Sequence, residues 1–253
     1  MPFPLAHPAA VLPFRRFSPR HLNFMALVIG AITPDVSYCL ERYDVDRFAH
    51  SIRGCFGFSL PVGWVLLLIF YAVREPLVNL LPAPHRQALL PVCWKSSQRW
   101  FAVPLSLLIG AATHVLWDSF THETGWFVER SSLLQLSLLT WHEHSFRLYR
   151  LLWHISTWGG LFLLYWAYAE ALKRRTGSAE VFAAVERRRY ALWMGLLLLP
   201  LVGVVPIALV RCPSSVSLAV LVPRFLRLSA ALYLVVLSVL LTVIGATLKR
   251  KRR

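Results

Sequence analysis

Charge is what this sequence has least of. Only 15% of its 253 residues are Asp, Glu, Lys or Arg, while 57% are hydrophobic. Soluble domains of this size typically carry about 25% charged residues, so a water-soluble globule is excluded. Cysteine is also scarce. Cys39, Cys55, Cys93 and Cys212 are scattered with no C-x-x-C pair, which excludes a zinc knuckle and leaves them as free thiols. No internal repeat is present, and the only low-complexity stretch is the basic tail KRKRR. Before Arg15 there is no uninterrupted apolar core, so an N-terminal signal peptide is not expected.

Long apolar runs are what the sequence does have. Six stretches, 24–40, 57–74, 101–120, 151–172, 190–210 and 225–248, approach the length needed to cross about 30 Å of hydrocarbon. They predict an all-α fold, a polytopic transmembrane helix bundle of about six spans forming a single domain over residues 1–253. The net charge of +15 does not form the interleaved basic and aromatic surface that nucleic acid requires, so no nucleic-acid partner is expected. It collects at the ends of apolar runs, at Arg15, Arg16 and Arg20, at Lys173–Arg175, at Arg187–Arg189 and at Lys249–Arg253. In a six-span arrangement, two-thirds of the 27 Lys and Arg residues fall on the side that holds both termini. Positive residues resist translocation, so both termini are predicted cytoplasmic.

The chemistry is concentrated in GAATHVLWDSFTH, where His114, Asp118 and His122 are spaced by four. Four residues advance a helix by about 400°, so the three side chains share one face. Imidazoles and a carboxylate one turn apart are ligands that suit zinc, and also manganese or iron. The plainer alternative is that each polar group bonds a neighbouring helix. Three ionisable groups on one stripe inside a span, however, are costly to bury without a common partner.

Two more residues fall on the same predicted external side. Asp35 follows Pro34 in the first run, where a proline frees a backbone carbonyl and lets the helix break. His50 opens HSIRGCFG just before the second run. Asp35 or Asp118 is a candidate to shuttle a proton. His7 is harder to place. It lies in MPFPLAHPAAVLPF, too short and proline-broken to span, and six spans leave it on the cytoplasmic side unless this stretch is a short or re-entrant helix. His142, His144 and His154 are weaker candidates, the first two in an exposed WHEH stretch and the third in LLWHISTWGG, and Glu123 and Glu143 are candidate general bases.

The ordered motifs MPFPLAHPAAVLPF, LVIGAITPD, AHSIRG with LPVGWVLLLIF, and IGAATHVLWDSFTH resemble an uncharacterised bacterial membrane family, domain of unknown function 4184. The resemblance runs from residue 1 to about residue 160, leaving 161–253 as additional hydrophobic spans and the basic tail. That family is similar to inner-membrane proteins described as metal-dependent hydrolases, which share an early His, a PD, a middle HS and a later H-x-x-x-D. The resemblance implies a metal set of His7, Asp35, His50, His114 and Asp118, with His122 added from the extended motif.

The expectation is therefore a membrane-embedded metal-dependent hydrolase in a bacterial inner membrane. It would hold a divalent ion, zinc first, and act at the membrane surface on a lipid-linked phosphoester or amide. A transporter or proton relay built on the same residues is the second reading, and a structural membrane protein the third. Transport needs polar residues in both membrane halves, whereas the last two runs offer no charge inside the bilayer. Beyond the lipid bilayer and a lipid-linked substrate, the sequence implies no partner and sets no oligomeric state.

Overall fold

Pro4, Pro8 and Pro13 remove backbone donors every few residues, so the N-terminal stretch cannot close regular α-helical turns. In the computed structural model, which describes residues 3–40, 42–94, 99–141, 144–174, 183–211, 225, 229, 232–233 and 236–247, it winds as a 3-10 segment, Pro4–Phe17. Helix α1, Phe24–Ile32, starts where Asn23 accepts the Ala26 N–H through its side chain at 3.0 Å. Pro34 then has no N–H to continue the ladder, and the chain tightens into a second 3-10 segment, Thr33–Leu40. Helix α2, Tyr43–Ala49, follows. The single turn α3, Ile52–Gly54, passes through a π turn at Cys55–Ser59 into α4, Leu60–Leu80.

Helix α5 covers Ala83–Trp94, α6 Ala102–Thr121 and α7 Trp126–Arg130. A hairpin comes next, β1 Ser137–Trp141 against β2 His144–Arg147, antiparallel with Trp141 opposite His144 and an irregularity between Ser137 and Leu139. Helices α8, Leu148–Lys173, and α9, Ala183–Arg211, complete the long elements, and Val236–Thr247 is a short apolar helix. The fold is thus nearly all-α, and the two-stranded sheet corrects the all-helical expectation. Thr140, Trp141 and Phe146 are β-branched or aromatic, the residue types that fit a pleated strand.

The six-span expectation is corrected as well. Among the described residues, three helices are long and apolar enough to cross a membrane: Ile52–Leu80, Ala102–Thr121 and Glu186–Ile207. The first expected run is only a nine-residue α-helix followed by eight residues of 3-10. Helix α8 has 26 residues, but its Trp, Tyr and His side chains, which favour the interface, hold its hydropathy down. Of the sixth expected run, 225–248, the longest continuously described stretch is the short apolar helix Val236–Thr247.

The chain divides into two compact units, residues 1–67 with 91–174, and residues 68–90 with 175–253. In the second, the Ala83 N–H donates to the Glu186 carboxylate at 2.8 Å and Trp193 Nε1 donates to the Leu80 carbonyl at 3.2 Å. All the chemistry-bearing residues lie in the first.

There, α1 and α6 approach backbone to backbone. A methyl group on Gly30 would run into the Leu107 carbonyl oxygen, and one on Gly110 into the Leu27 carbonyl oxygen. Small residues let helices approach closely enough for dispersion and polar contacts to hold them in lipid. Asn23 N–H donates to Ser106 Oγ at 2.8 Å near the start of both helices. The N-terminal segment packs on this pair and on α8. Val11 joins Leu22, Leu27 and Ala31 in one core cluster, and Phe3 N–H donates to Thr157 Oγ1 at 3.1 Å.

Candidate metal centre

The helix break at Pro34 builds one wall of the centre. In a continuous helix the Ala31 carbonyl would belong to the ladder; here it lies 2.7 Å from His114 Nδ1. A carbonyl can only accept, so His114 carries its proton on Nδ1 and presents the Nε2 lone pair. His50, capping α2, is oriented the same way: Nδ1 lies 3.0 Å from the Asp46 carbonyl and 3.2 Å from Asp46 Oδ1. His122 repeats the pattern, with Nδ1 3.0 Å from the Asp118 carbonyl. Fixing Nδ1 on a carbonyl or carboxylate is how proteins commonly prepare an imidazole for a metal.

The atoms these rings present converge. Asp35, His50, His114 and Asp118 each offer one donor atom, all within 4.8 Å of one another. His50 Nε2 lies 3.3 Å from Asp35 Oδ1, 3.3 Å from His114 Nε2 and 3.7 Å from Asp118 Oδ2. His114 Nε2 lies 3.5 Å from Asp35 Oδ1 and 3.2 Å from Asp118 Oδ2. Ligands held about 2.0–2.1 Å from a tetrahedral zinc are themselves about 3.3–3.4 Å apart. These five spacings, 3.2–3.7 Å, bracket that value.

Burial strengthens the case. His114 is 0% exposed, Asp118 5% and Asp35 6%. Asp35 Oδ2, both Asp118 carboxylate oxygens, His7 Nε2 and His122 Nε2 are buried without a hydrogen-bond partner. Unpaired buried polar atoms are rare and expensive, and five of them in one cluster fit a cation as the shared partner. Without one, a proton takes its place. Burial opposes the charged form of His50, but the carboxylates of Asp35 and Asp46 outweigh it and push its pKa up to about 10. Burial pushes His122 down to about 4 despite Asp118 beside it, leaving that ring neutral near pH 7.

The expected set is therefore largely assembled. His7, which six spans left remote, stacks on His114 with ring centroids 3.7 Å apart and brings Nε2 within 3.5 Å of Asp118 Oδ1. His122 reaches Asp118 Oδ1 at 3.5 Å, though not from the shared helical face the spacing predicts. Helix α6 ends at Thr121, and His122 is its cap in an extended conformation. His154 is elsewhere, stacked on Phe146 and edge-on to Trp153. Glu123 is exposed, His142 and Glu143 lie outside the described residues, and the backbone of His144 belongs to the hairpin. Sequence reasoning missed Asp46 and Ser37, whose hydroxyl lies 2.9 Å from Asp46 Oδ1. The signal was the Asp46–His50 spacing of four, the same one-turn spacing that marked His114 and Asp118.

Residues 1–248 match the family described as domain of unknown function (DUF4184). The chain belongs to that family. The match extends past residue 160, so the apolar C-terminal third is part of what defines DUF4184 rather than an unrelated addition. No curated protein and no solved structure matches this DUF4184 chain.

Proposed function

We propose that this DUF4184 protein is a membrane-embedded metal-dependent hydrolase, with zinc the ion its donors suit best. One observation carries the reading: four donor atoms from three separate segments of chain meet within 4.8 Å of one another, and the other ring nitrogen of each of the two histidines is already anchored. Helix glue requires only that each polar group find a hydrogen-bond partner, and five buried atoms here have none. A divalent ion at this place supplies a Lewis acid that makes water nucleophilic near neutral pH.

The chain's own residues do the rest. His50 and His114 hold the ion as neutral imidazoles, and Asp118 balances its charge. Asp35 engages the cluster through Oδ1, so Oδ2, buried and unpartnered, takes the proton that water loses. Ser37 and Asp46 orient His50 from behind.

Location points to the substrate class. His114 and Asp118 occupy the last two turns of α6, a helix able to span a membrane, so the reaction lies near one bilayer face, where the labile bond of a lipid-linked phosphoester or amide would sit. Transport is the weaker reading, because the apolar run 190–210 contains no charged residue.

Metal content by plasma mass spectrometry on detergent-purified protein tests the proposal. Wild type should hold zinc, manganese or iron, which His114→Ala and Asp118→Ala should lose while keeping their helical circular dichroism. Protein that neither retains nor takes up metal on titration would sink the hydrolase.

A further inference from the structure

The four-donor set leaves part of the cluster unexplained. A tetrahedral ion held by Asp35, His50, His114 and Asp118 has no open position, and a hydrolytic ion needs one. His7 and His122 stand outside that set, each with Nε2 buried and unpartnered.

Asp118 connects the two groups. Its Oδ2 faces His114 Nε2 at 3.2 Å and His50 Nε2 at 3.7 Å, while Oδ1 faces His7 Nε2 at 3.5 Å and lies 3.5 Å from His122 Nδ1, the anchored nitrogen of the ring whose Nε2 is buried and unpartnered. A carboxylate whose oxygens address different pairs of imidazoles is arranged as a bridge. The stacking of His7 on His114 keeps the two rings side by side, so His7 approaches Asp118 from beside the first set.

We propose that the centre is dinuclear: Asp118 bridges two divalent ions, the first held by Asp35, His50 and His114, the second by His7, His122 and Asp118 Oδ1. This rests on the metal-centre reading above and deepens it. The second place has three protein donors, the number that leaves a tetrahedral ion one position for water or substrate. Paired ions that clamp both the attacking and the leaving oxygen are a recurrent solution for phosphoester hydrolysis, so the phosphoester becomes the substrate class of choice. His7 is 4% exposed, and the N-terminal segment has a purpose on this account: it carries a ligand for the second ion.

The test is stoichiometry on the full-length chain in detergent. Wild type titrated with zinc should bind two ions per chain, and His7→Ala and His122→Ala should each bind one. Loaded with manganese, wild type should give the paramagnetic resonance spectrum of an exchange-coupled pair, and His7→Ala that of an isolated ion. The manganese measurement on wild type decides the matter even if a variant fails to fold. A single ion per wild-type chain, with no coupled signal, would overturn the dinuclear centre while leaving a metal bound at the first set. Loss of all metal in His7→Ala would overturn it too, by showing one shared site. Protein that binds no metal would end both readings.

Discussion

His114 Nδ1 lies 2.7 Å from the carbonyl oxygen of Ala31, so a ligand on one helix is set by the backbone of another at the place where a proline interrupts it. The finding joins two sequence features that have no evident connection, Pro34 in the first apolar run and the histidine of H-x-x-x-D in the third. The break is what leaves the Ala31 carbonyl available.

Replacing Pro34 with Ala therefore tests the link. Alanine restores an N–H at position 34 and lets the helix continue, which draws the Ala31 carbonyl back into the ladder and away from His114. Metal affinity should fall by about tenfold, the lower end for loss of an orienting partner. Competition with a chromogenic chelator measures it, and unchanged affinity would show that the carbonyl does not depend on the break.

Asp46 is the carboxylate behind His50, 3.2 Å from Nδ1 and itself 2.9 Å from the Ser37 hydroxyl. Asp46→Asn should lower metal affinity by about 10- to 100-fold without removing the ion at saturation, because the Asp46 carbonyl still accepts from the ring. The same chelator competition reads the difference from His50→Ala, which removes the ligand itself.

Much of the centre was legible in the sequence because one-turn spacing and intramembrane charge are local signals. His114, Asp118 and Asp35 each carry such a signal, His50 was placed with them by predicted topology, and all four meet. His7 was not placed by local pattern, because its position depends on Val11, Ala6 and Phe3 packing against α1 and α8, contacts far apart in sequence. The number of spans failed for a related reason. A hydropathy window over 24–40 does not register that Pro34 divides the run, and one over 151–172 counts aromatic residues that favour the interface. The hairpin was missed because Ser137–Arg147 lacks the strict alternation that marks a strand and is short enough to pass for a loop.

The crossing of α1 and α6 should tolerate no side chain at its closest point. In Gly30→Ala and Gly110→Ala the new methyl meets a carbonyl oxygen of the facing helix, and backbone cannot swing aside as a side chain can. Each substitution should destabilise the fold by about 1–3 kcal/mol, the usual cost of overpacking, and should also weaken metal binding, since α6 carries His114 and the segment that directly follows α1 carries Asp35. Thermal unfolding in detergent gives the first effect and metal content the second. A variant with a lowered melting temperature and full metal content would separate the crossing from the site.

The path of the N-terminal segment makes a prediction about topology that charge counting alone does not. Asn23 meets Ser106 near the start of α6, and Ala31 meets His114 near its end, so α1 and α6 run parallel. His7 stands beside Asp118 at the far end, while Arg15 and Arg16 close the segment on the way back to Asn23. The segment therefore runs opposite to α1, and the arginines, expected on the cytoplasmic side, lie at the other end from residue 3. An epitope tag ahead of residue 1 should accordingly be reached by antibody in intact spheroplasts, not only after permeabilisation. A tag protected until the membrane is opened would put the metal centre on the cytoplasmic face, and its substrate with it.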